Sequence, residues 1–159
     1  MNRSTKIAAL SVFGAAILTP AAAQAATWDA WIQPSAPGVD VAGALPDWHI
    51  ENGHAGAKAE DAIALSVAAL GGKANAHASN LSGPAAIAVG EGAHVEAHGV
   101  NPGLAIGIAG PNTMVHIDGT TPVVCEGQAG FAGDFQTLTG CIAYTNIDGS
   151  TVTVPLSLR

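Results

Sequence analysis

The chain has 159 residues, a formal net charge of −7, and only 4% aromatic and 11% charged side chains. A chain this acidic is repelled by phosphate backbones and anionic lipid, which excludes nucleic acid as a partner class. Its many alanines and 20 glycines bury little area each but are cheap to order. The fold must therefore rest on backbone hydrogen bonds and regular stacking.

Residues 1–25 read as a cleaved signal peptide. Arg3 and Lys6 make a positive start, and the apolar run 7–18 is too short to span a bilayer. Pro20 breaks that run, and Ala23-Gln24-Ala25 is a cleavage site. The junction has no cysteine for a lipid anchor, and no second long apolar run comes after it. The expectation is a bacterial, Sec-exported chain without stable membrane insertion. Its address is the periplasm, the cell surface or the extracellular space. Past Ala25 the bases are Lys58, Lys73 and Arg159 against twelve carboxylates, a net charge of about −9.

Residues 26–60 hold Trp28, Trp31 and Trp48 with Pro34, Pro37 and Pro46 between them. The segment reads as an irregular N-terminal cap, because the open end of a stacked-coil fold must be covered. The same tryptophans are a candidate ligand platform for sugar rings, which makes a glycan a candidate partner. Residues 59–72 carry both a helical spacing (Ile63, Val67, Leu70) and a strand alternation (Ile63, Leu65, Val67, Ala69). The strand reading is preferred because Val67 and Ala69 fall in register with apolar pairs later in the chain.

A quasi-repeat of about twenty residues runs from Val67 to Cys125. Val67 and Ala69 recur as Ile87 and Val89, then as Ile106 and Ile108. Gly/Pro/Asn clusters at 90–92, 99–103, 110–112 and 119–122 separate short strand-like runs. Two strands and two turns per twenty residues suit one coil of a parallel β-helix, so residues 61–142 are expected to form a solenoid. An antiparallel β-sandwich is the alternative.

Alternation points Ala74, Ala76, Ala78, Val95, Ala97, Val115 and Ile117 inward. It points Asn75, His77, His94, Glu96, His98, His116 and Asp118 outward. Offsets of 19 and 20 residues stack His77 on Glu96 on His116, with His98 beside Asp118. Imidazoles and carboxylates on neighbouring strands can converge on one divalent ion. The candidate metal set is His94, Glu96, His98 and His116, with His77 and Asp118 in reserve, and Zn or Cu as the ion. The bland reading is a solvated strand face.

Cys125 and Cys141 are the only cysteines, and in an oxidising compartment they read as one disulfide. Residues 143–159 form a C-terminal hairpin, with Asp148-Gly149 as a two-residue type I′ turn. Enzyme signals are poor. No nucleophile elbow, zinc-protease helix or P-loop is present, and no catalytic residue is assigned. The sequence thus predicts a small single-domain all-β solenoid. Its expected role is that of a non-catalytic structural or binding protein of the bacterial envelope or surface, self-associating or partnered with another envelope protein. Metal binding and polysaccharide binding or cleavage are the alternatives.

Overall fold

The structure, a computed structural model, describes residues 36–157. These form thirteen strands and no helix: β1 (Val39–Ala44), β2 (Trp48–Asn52), β3 (Ala55–Ala59), β4 (Ala64–Ala69), β5 (Lys73–Ala78), β6 (Ser82–Val89), β7 (His94–Gly99), β8 (Gly103–Ala109), β9 (Thr113–Ile117), β10 (Val124–Gly127), β11 (Ala129–Asp134), β12 (Thr139–Thr145) and β13 (Thr151–Ser157). They build two sheets, one of seven strands in the order β1-β4-β6-β8-β11-β12-β13 and one of six in the order β10-β9-β7-β5-β3-β2.

The middle of each sheet is parallel. β3, β5, β7 and β9 stack in one, and β4, β6 and β8 in the other. Each coil contributes one strand to each sheet, giving about three turns of a β-solenoid. The chain reverses at both ends. β1 and β2 pair antiparallel with β4 and β3, while β10 and β11 pair antiparallel with β9 and β8. The N-terminal cap is thus built of strands from Val39 onward, not of irregular chain, and β3 already belongs to the parallel stack. Trp28 and Trp31 lie outside the described residues.

The interior is lined by small side chains. Ala55, Ala57, Ala59, Ala74, Ala76 and Ala78 face Ala64, Ala68, Ala86, Ala88, Ala105 and Ala109 across the gap, all buried. Where the six-stranded sheet carries larger groups, the opposite sheet gives way. A Cβ added to Gly107 would meet Val95 Cγ1 at 2.7 Å and Val115 Cγ1 at 3.0 Å. The buried Ser66, Thr113 and Asp134 side chains are each hydrogen-bonded to backbone. Ser66 donates to the Gly56 carbonyl, and Thr113 Oγ1 accepts from the Gln128 and Ala129 amides. Asp134, fully buried, accepts from the Gln136 amide and the Thr137 hydroxyl.

The coils are unequal, and this corrects the expected stacking. From β3 to β5 the paired residues are 19 apart, from β5 to β7 21, and from β7 to β9 20. His77 therefore lies beside His98, not beside Glu96, and Ile87 lies beside Ile108, not Ile106. The two-residue difference keeps every side chain on its expected face, because strands repeat every two residues. Pro84 sits in β6 at the position where β4 and β6 are not yet paired; their ladder begins at Leu65 and Ala85. A proline has no amide to give that ladder.

The disulfide Cys125–Cys141 joins β10 to β12, with 5.8 Å between Cα atoms, and so staples the two sheets together at the C-terminal end. The C-terminal hairpin is present as β12–β13. Its turn differs from the two-residue form expected. The Gly149 amide donates to the Asn146 carbonyl, the Asn146 amide donates to the Ser150 carbonyl, and only Gly149 has positive φ (84°). This is a three-residue loop with glycine at the left-handed position. The Asp148 carboxylate accepts from the Ser150 amide and hydroxyl, closing this loop.

Stability should respond in two ways, both read by urea denaturation. Gly107→Val forces methyl groups against Val95 and Val115 and should destabilise by about 1–3 kcal/mol. Replacing both cysteines with alanine should lower stability by about 3 kcal/mol, from the loop freed in the unfolded chain. Wild-type midpoints in either variant would contradict this account of the core and its staple.

Candidate functional site

The solenoid presents two broad outer faces of opposite character. On the six-stranded sheet, one outward row runs His49, Lys58, His77 and His98. The next runs Glu51, Gly56, Asn75, Glu96, His116 and Val124, and the third Lys73, His94, Met114 and Glu126. Five of the six histidines lie on this face, and His54 stands in the β2–β3 turn at its end. Both lysines among the described residues are here as well.

Within this face Glu96 is the centre. Its carboxylate is 3.3 Å from His94 Nε2 and 3.5 Å from His116 Nδ1. His98 continues the strip, its ring 6.4 Å from that of His116 and 5.6 Å from that of His77. Five of the six expected residues, all but Asp118, therefore form a strip across three strands rather than a cage. Among the described residues, no group of three or more His, Cys, Asp or Glu side chains comes together to hold a metal ion. Asp118 is engaged elsewhere. Its carboxylate accepts from the amides and hydroxyls of Thr120 and Thr121, closing the corner after β9.

Protonation depends on these neighbours. Partial burial holds the His77 imidazole below its usual range, helped by the Lys58 ammonium and by His98. The hydrogen bonds from Thr121, then Thr120, hold Asp118 well below the usual carboxylate range. The Lys58 ammonium, 2.7 Å from Glu60, lowers that carboxyl too. Trp48 is half-buried and packs against the core from β2, so its ring is not a free platform.

The seven-stranded sheet is different. Val41, Val67, Ile87, Ile108, Phe131, Ile142 and Val154 form one unbroken row across all seven strands, each paired with the next. Leu65, Ala85, Ile106 and Leu156 belong to the row beside it, with glycines at its other positions. Val39, Ala69, Val89, Ala129, Tyr144 and Val152 lie on the other side. No outward position in these strands carries a charge. Several stand well into solvent, with Leu104 65%, Leu65 42% and Phe131 41% exposed. A groove beside Pro84, lined by Ile63, Leu81 and Leu104, continues the face around the corner.

Seven strands about 4.8 Å apart, each about 20 Å long, make an apolar surface of roughly 600 Å². That lies at the top of what a monomer's largest apolar patch usually covers, and such patches mark interaction sites. This face was not among the residues expected to be functional. Its signal was present in the large-small alternation of Ile87-Ala88-Val89 and Ile106-Gly107-Ile108-Ala109. Both alternating positions are apolar, so hydropathy alone does not say which one faces out.

No family model, no curated protein and no solved structure matches this chain. A functional proposal therefore rests on the geometry of the two faces.

The lowered His77 pKa has a consequence for stability. The unfolded chain takes up this proton at about pH 6.5, before the folded chain does. The contribution of His77 is therefore fully favourable above that pH. It declines as pH falls toward the folded value, then levels off. Urea denaturation between pH 7.5 and pH 5 should show a decline that is smaller in His77→Gln; superimposable profiles would count against it.

Proposed function

We propose that the protein is an exported, non-catalytic structural or binding component of the bacterial envelope or cell surface, and that its working surface is the apolar face of the seven-stranded sheet. The observation that carries this reading is the row from Val41 to Val154, seven apolar side chains on seven paired strands with none of them charged. A face of this kind favours a covered state in water, because it leaves roughly 600 Å² of apolar surface unburied, as large as the patches that mark interaction sites. Covering it supplies the driving force for attachment. The signal-like residues 1–25 support export. The disulfide supports an oxidising compartment.

The histidine face has the opposite role in this reading. Its mixed charges keep one side of the module hydrated while the other is covered. Fractionation of producing cells tests the assignment. Ile87→Lys combined with Ile108→Lys should move the protein from the particulate envelope or surface fraction to the soluble one. Asn75→Lys on the histidine face should leave its distribution unchanged. Unaltered retention of the double variant would remove the apolar face from this role.

A further inference from the structure

We propose that the apolar face is closed by the same face of a second copy, apolar sheet on apolar sheet, in a two-fold dimer. This rests on the apolar face being the working surface. Three observations favour a second copy over other occupants.

The first is area. Two faces of roughly 600 Å² bury about 1,200 Å² between them, which reaches the size of a stable protein interface. The second is self-complementarity. A two-fold contact must match its own surface, and a face with no charge at any outward strand position meets that demand without pairing rules. Two such sheets pack about 10 Å apart with strands near 30° to one another. The third is where the charge lies. Lys58, Lys73, Glu51, Glu96 and Glu126 are all on the opposite sheet. In the dimer the two histidine faces are separated by four sheets, about 30 Å, well beyond the screening length at physiological salt.

The competing arrangements are weaker. An anionic membrane repels a chain with a net charge of −7. End-to-end pairing needs open strand edges, and three of the four edge strands among the described residues are blunted. β13 carries Pro155, β10 has four residues, and β2 alternates His49 and Glu51 with its apolar positions.

Sedimentation equilibrium of the purified protein at micromolar concentration tests this. The wild type should be a dimer. Leu65→Lys with Leu104→Lys, both at exposed positions, should weaken self-association by about a hundredfold or more, because each charge would be buried unpaired. Ile87→Lys with Ile108→Lys should do the same, while Asn75→Lys should stay dimeric, all with wild-type circular dichroism. A dimer persisting in both double variants overturns the proposal. So does a monomeric wild type that floats with phosphatidylcholine vesicles, although the apolar face then remains the working surface. A monomer that excludes both vesicles and an apolar dye would remove both readings.

Discussion

The distance between the two sheets is the constraint on which the rest depends. The coil interior admits alanine and little more, and where Val95 and Val115 enter from one side the other must offer Gly107. Strand formation nevertheless favours β-branched and large apolar side chains. In most half-buried sheets those residues go inward. Here the gap takes them at only a few positions such as Val95, Val115 and Ile117, so Val67, Ile87, Ile106 and Ile108 go outward and small residues fill most of the gap. The exposed apolar face is therefore the other side of the narrow core, produced by the same alternation.

The two faces share one chain and one period, yet they diverge in chemistry. At the outward positions of β5, β7 and β9 stand asparagine, histidine, lysine and glutamate, with Met114 the one apolar residue. At those of β4, β6 and β8 stand leucine, isoleucine, valine and alanine. The solenoid thus separates charge from apolar surface as an amphipathic helix does, but across two flat sheets joined by corners. The corners are held by polar ladders. Asn80 Nδ2 donates to the Val100 carbonyl, and Gln136 Oε1 accepts from the Val100 and Asn101 amides. These bonds lie off both faces and leave each free to carry its own chemistry.

Much of the architecture was legible in the residues. The inward set Ala74, Ala76, Ala78, Val95, Ala97, Val115 and Ile117 is buried as alternation predicts, and the cysteine pair is joined. The register was not legible, because turn lengths vary by one or two residues and period-two alternation is blind to a shift of two. That shift moved His77 from Glu96 to His98. The strands of the N-terminal cap were obscured by prolines, of which Pro37 and Pro46 stand at the turns around β1. Asp118 looked like a ligand because a carboxylate in an outward row resembles one. Its threonine partners two and three residues on mark it as a turn-closing group instead.

The single disulfide also gives the stack a direction. In a solenoid each coil is held chiefly by its neighbours, so an end coil can detach at the cost of one interface. The C-terminal end is closed by a four-strand antiparallel run, β8-β11-β12-β13, and by the Cys125–Cys141 bond across the sheets. The opposite end is closed by β1 and β2 alone among the described residues. Fraying should therefore begin at that opposite end and progress coil by coil toward the stapled one, like a zipper with one end sewn.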